Sequence, residues 1–139
     1  CTALLDAVGG AIGHVDLVQR VQPRGHAADR VLFVITTDGM ENASRRFTYP
    51  QVKKMIEQHR GRGWEFLFIG ANIDAAAEAS HLGIASERAA DYVADGRGTE
   101  VLYSAMAMAV ANVRSGAPGS VMGDSWRAGL DADVRARRR

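Results

Sequence analysis

Cysteine is almost missing from this chain of 139 residues; Cys1 is the only one. A single thiol excludes an internal disulfide and any zinc site built on a Cys-x-x-Cys pair, and it favours a reducing, cytoplasmic setting. Charge of one sign is missing too. Lysine and arginine nearly balance aspartate and glutamate, for a formal net charge of +1. No global field therefore points to nucleic acid or to a membrane surface. No apolar run reaches transmembrane length and no leader peptide is visible. The acyl-transfer elbow G-x-S-x-G and the phosphate loop G-x-x-x-x-G-K-[ST] are absent. Gly123-Asp124-Ser125 comes near the elbow pattern but follows no strand. The four histidines, His14, His26, His59 and His81, lack metal-ligand spacing. Gly9-Gly10-x-x-Gly13 falls inside a predicted helix, not between strand and helix, so a dinucleotide role is not expected.

What is present suits one globular domain. Hydrophobic residues make up 47% and charged residues 24%, enough for a core in a chain of this length. Residues 2–21 predict an amphipathic helix, with Leu5, Val8, Ile12, Val15 and Val18 at helical spacing. Thr2 is its N-cap candidate, and Asp6 lies in the first turn where the helix dipole favours negative charge. Pro23 and Gly25 mark a loop. The chain then alternates: a strand over 31–36, a helix over 49–60, a strand over 64–69, a short alanine-rich helix capped by Asp74, a weak strand over 91–93 and a helix over 99–114. This order predicts an α/β protein, a doubly wound, Rossmann-like parallel sheet flanked by helices. Residues 1–114 form the expected domain. Residues 115–139, rich in Gly, Ser and Arg, are expected as a poorly ordered tail.

The segment Val31 to Ser44, VLFVITTDGMENAS, carries the strongest functional signal. Its apolar run suits a strand buried on both faces, and Asp38 falls just past its carboxyl end. Open α/β sheets place ligands at that edge. A carboxylate beside a glycine turn can hold a hard cation; the plain alternative is a solvated turn aspartate. The apolar strand also poses a problem. It needs a neighbour on each edge, and residues 64–69 supply one. The expected consequence is that an N-terminal portion of the fold is missing, which agrees with a chain that begins on Cys1 instead of Met. Self-association through the exposed sheet edge is then expected.

The helix start Thr2-Ala3-Leu4-Leu5-Asp6-Ala7, followed by VLFVITTDGMEN and by WEFLFIGAN over 64–72, resembles the von Willebrand factor A-type domain in its bacterial and phage form. The resemblance spans roughly residues 2–114. It implies an adhesion site for Mg²⁺, with Mn²⁺ or Ca²⁺ as substitutes, at the sheet's edge. In that family an Asp-x-Ser-x-Ser loop, a threonine at a helix start and an aspartate after a strand build the site. Thr2 matches the second element and Asp38 the third. No Asp-x-Ser-x-Ser occurs in this chain, so cation binding is expected to be weak or absent. Gly39, Glu41, Asn42 and Ser44 would form the rim that touches a protein partner.

The expectation is a protein-interaction domain, not an enzyme, with an incomplete metal-ion-dependent adhesion site. Two other classes compete. A metal-assisted hydrolase or phosphotransferase would use Asp38 as nucleophile or metal carboxylate, with Glu41 beside it. A non-specific nucleic-acid binder would use Arg127 and the terminal arginines, although no aromatic platform accompanies them.

Overall fold

The computed structural model describes residues 2–26, 30–115 and 125–138. Cys1, Asp124, Arg139 and most of the Gly/Ser-rich stretch lie outside the described residues. Eight main elements follow in chain order: α1 (Leu4–Val21), β1 (Leu32–Thr37), α2 (Tyr49–Arg60), β2 (Glu65–Gly70), α3 (Ala75–His81), β3 (Ala89–Asp91), α4 (Gly96–Ser115) and α5 (Ala128–Arg137). Three parallel strands make one sheet in the order β1-β2-β3. The protein is therefore α/β, a parallel sheet between two helical layers and consistent with part of a Rossmann-like fold.

Each layer has its own core. On one face Leu4, Leu5, Val8 and Ile12 of α1 join Val52 and Ile56 of α2 against Ile35, Phe66 and Phe68 of the sheet. On the other, Leu102, Ala105 and Ala109 of α4 join Trp126 and Leu130 against Leu67, Ile69 and Ala90. Alternate residues of β2 point to opposite faces, so Phe66 and Phe68 serve one core and Leu67 and Ile69 the other.

Several local features follow from the residues. Thr48 and Gln51 form a reciprocal capping box that starts α2, with Pro50 in its first turn. Asp74 accepts the amide of Ala77 and starts α3. Gly9 has a packing role: a β-carbon there would meet the Phe47 ring at 2.7 Å. Gly98 lets α4 begin three residues earlier than its apolar stripe predicts. A β-carbon on it would overlap the Val93 carbonyl, while its own N–H donates to Asp95 Oδ1 at 2.7 Å.

Two expectations need correction. Thr2 does not cap α1; the residue before the helix is Ala3, which offers no side-chain acceptor. The expected tail is folded over 125–138. A 3-10 turn, Ser125–Arg127, leads into α5. Trp126 is fully buried, and Leu130 and Val134 are buried beside it. Their spacing of four residues is one helical face, a signal masked by Arg127 and by the arginines that follow Val134. Among the described residues no helix is long and apolar enough to cross a membrane.

Candidate site at the carboxyl edge of the sheet

The loop after β1 is held in place by the start of α1. The first N–H groups of a helix have no partner within it. Here Leu5 N–H donates to Glu41 Oε1 at 3.1 Å, and Asp6 N–H donates to Ser44 Oγ at 2.9 Å. The loop thus caps the helix from a distance, with a carboxylate at the positive end of its dipole. Glu41 also accepts the amides of Ala43 and Ser44 and the Ser44 hydroxyl. Burial works to raise its pKa, but these donors outweigh it and hold the carboxyl below its ordinary value. Asp6 reciprocates. It accepts the amides of Arg45, Arg46 and Phe47, each at 2.9 Å. The Arg45 amide is the largest cause of its lowered pKa; burial opposes, and the other two amides add to the lowering.

Thr2 and Asn42 close the arrangement. Thr2 N–H donates to Asn42 Oδ1 at 2.7 Å, and Asn42 N–H donates to the Thr2 carbonyl at 3.0 Å. This clamp leaves Thr2 Oγ1 facing the turn, 3.8 Å from where a β-carbon on Gly39 would lie. The turn is also locked internally: Thr37 Oγ1 donates to the Gly39 carbonyl at 2.9 Å and accepts its N–H at 3.3 Å. Asp38 is exposed at the tip. Its backbone carbonyl accepts from Asn72 Nδ2 at 3.3 Å, and its charge adds to burial in raising the pKa of Tyr92.

The structure therefore brings Thr2, Asp38, Gly39 and Asn42 to one rim. It turns Glu41 and Ser44 the other way, into bonds with α1 and with each other. Sequence reasoning placed those two on the rim because nothing local shows that a helix start distant in sequence lacks a cap. It also missed Asn72 as a neighbour of Asp38. The signal available was an asparagine straight after a strand, and here it sits at φ 61°, in the left-handed region that asparagine tolerates.

As a cation cage this set is incomplete. Thr2 and Asp38 offer two oxygen donors, against the about six that Mg²⁺ requires in its octahedron. The nearby carboxylates Glu41 and Asp6 are occupied by backbone amides. Among the described residues no group of three or more His, Cys, Asp or Glu is placed to hold a metal ion. The described residues therefore do not fit a resident Mg²⁺ by themselves.

The other predicted chemistries are placed as follows. His59 is buried, with Nδ1 at 2.6 Å from the Met55 carbonyl. Arg127 pairs with Asp131 at 2.8 Å, Arg137 with Asp133 at 3.1 Å and with Asp95, and Arg138 with Asp91 at 3.5 Å. These arginines tie α5 to itself and to the sheet's carboxyl side. No protein-family model, curated protein or solved structure matches this chain.

Proposed function

We propose that this chain is a protein-interaction domain of the von Willebrand factor A kind, with its contact surface at the sheet's carboxyl edge around Asp38 and Thr2. The supporting observation is the Thr2–Asn42 clamp. It sets a hydroxyl from the start of α1 beside the turn whose exposed tip is Asp38, where open α/β sheets bind ligands. Asp38 is the anchor of the surface and Thr2 its second polar group, with Gly39 and Asn42 beside them. The adhesion site is a remnant: any cation it takes needs donors from outside the described residues.

Manganese titration by calorimetry tests the cation part. Binding weaker than about 10⁻³ M, lost in Asp38→Ala, is expected. Tight saturable binding that survives Asp38→Ala would remove Asp38 from the site. The interaction part is tested with a photo-crosslinking residue at position 40, where Met40 is 59% exposed beside Asp38. Crosslinks to a protein partner that disappear in Asp38→Ala are expected. Substrate turnover that disappears in the same variant would move the protein into the hydrolase class.

A further inference from the structure

Arg88 is a cation withdrawn from water without an acceptor. Its side chain is only 16% exposed, and its Nη1 is shielded and has no hydrogen-bond partner. Its one ionic contact runs from Nη2 to Glu65 Oε2 at 3.5 Å, beyond the reach of a charge-assisted hydrogen bond. Among the described residues the guanidinium therefore makes no hydrogen bond. Buried polar groups are normally paired, and a lone guanidinium is among the costliest exceptions.

Arg88 ends the 3-10 turn Ser86–Arg88 and lines a cleft of about 490 Å³. The cleft lies between the end of α2, the start of β2 and the chain that enters β3, at the amino edge of the sheet. The Asp38 rim is at the opposite edge. Every wall residue falls within 57–88, inside the continuously described stretch 30–115. Trp64 forms one wall. It is half-buried and packs on His59 and Phe66, with ring centroids 4.5 and 6.3 Å away. Glu57 lines the cleft too, and among the described residues its carboxylate has neither ion pair nor hydrogen bond. Arg60 is already engaged, donating from Nη1 to the Gly83 carbonyl at 3.0 Å. The cleft thus offers one unmatched cation, one unmatched anion and an aromatic wall.

The geometry points to a binding site for a small zwitterion of the amino-acid class, with an apolar side chain. The ligand's carboxylate accepts from the Arg88 guanidinium, whose fork suits two oxygens. Its ammonium lies toward Glu57, and its side chain rests on Trp64. A plain anion fits less well, because Glu57 and Glu65 repel it, and a divalent phosphate fits least. A plain cation leaves Arg88 unmatched. A concave site with a few convergent polar groups beside an aromatic side chain is the usual form of a small-molecule pocket.

Nuclear magnetic resonance titration of the 139-residue chain with L-phenylalanine tests this, read at the Trp64 indole N–H and the amides of Gly61, Gly63 and Ala85. Saturable shifts with a dissociation constant of about 1 mM are expected for a ligand of this size. Phenylpropionate, which lacks the ammonium, and phenylethylamine, which lacks the carboxylate, should each bind about tenfold more weakly. Inorganic phosphate should not bind. Arg88→Met should abolish binding. It should also leave the urea midpoint of the ligand-free chain unchanged or higher, because it removes an unmatched buried charge. Glu57→Gln, at an exposed position, should fold normally and erase the preference for L-phenylalanine over phenylpropionate. Absence of saturable shifts up to about 20 mM would overturn the inference. So would equal binding of phenylpropionate or phosphate to the wild-type chain, or binding that survives Arg88→Met. A large loss of stability in ligand-free Arg88→Met would make Arg88 a structural cation and overturn it as well. None of these variants touches the Asp38 rim, so this result and the manganese result fail separately.

Discussion

β1 and β2 are built from similar apolar residues, LFVITT and EFLFIG, pair in register, and have different fates. In β2 every residue from Phe66 to Gly70 is buried. In β1 only Ile35 and Thr37 are, while Leu32, Phe33 and Val34 stay half-exposed and Thr36 is exposed. Composition does not account for the difference; position does. Among the described residues β2 has a strand on each side and a helical layer over each face, whereas β1 has one neighbour. An apolar strand with one neighbour has burial still to gain, and it is this strand that carries Asp38 past its carboxyl end.

The largest test of the contrast concerns what covers β2. Trp126 is fully buried in the core that also holds Leu67 and Ile69. Trp126→Ala should destabilise the fold by about 3–5 kcal/mol in urea unfolding. A loss near zero would mean that α5 is an ornament and β2 needs no second cover. Next comes a matched pair across the register, Leu67 and Val34. Leu67→Ala should cost about 2–5 kcal/mol. Val34→Ala should cost about 1 kcal/mol, since its two methyl groups are half in water. Equal costs would erase the distinction between centre and edge.

The turns after β1 add a pH dependence. Asp6 and Glu41 are both held below their ordinary values of 3.8 and 4.5. A depressed carboxylate contributes stability that is full above its unfolded pKa and is lost as pH falls through the folded value. Thermal stability should therefore decline as acid is added below about pH 4.5, and Asp6→Asn should flatten part of that decline. An unchanged acid limb would show that the loop is held by other contacts. The smallest effect belongs to an exposed position of β1: Thr36→Ala should change stability by no more than about 0.5 kcal/mol, although its register partner Ile69 is fully buried.

Much of this architecture was legible beforehand where the signal is local. The helix over 49–60 carries its capping box and proline in consecutive residues, and its bounds agree with the structure. The strands over 31–36 and 64–69 shift by one residue. The weak strand lies at Ala89–Asp91, two residues earlier than expected, because alanines give little β signal. Helix α5 was hidden because its arginines suggest a solvated tail, yet Arg137 pairs with Asp95 and Asp133, and the flanking Arg127 and Arg138 pair with Asp131 and Asp91. At the candidate site, Asp38 and Thr2 were readable as polar residues at element ends. Glu41, Ser44 and Asn42 could not be sorted from sequence into inward and outward groups.

The alternation of strands and helices, the position of Asp38 past a strand end, and an apolar strand wanting two neighbours are all written in the local order of residues. Periodicity and turn chemistry are local, so they survive without coordinates. That β1 has a single neighbour among the described residues, that Glu41 caps α1 while Asn42 holds Thr2 beside the Asp38 turn, and that Trp126 closes the second face follow from tertiary contacts. Those outcomes depend on hydrogen-bond donors and apolar faces meeting partners far away in the chain, and no local pattern records where an unpaired group will find its match.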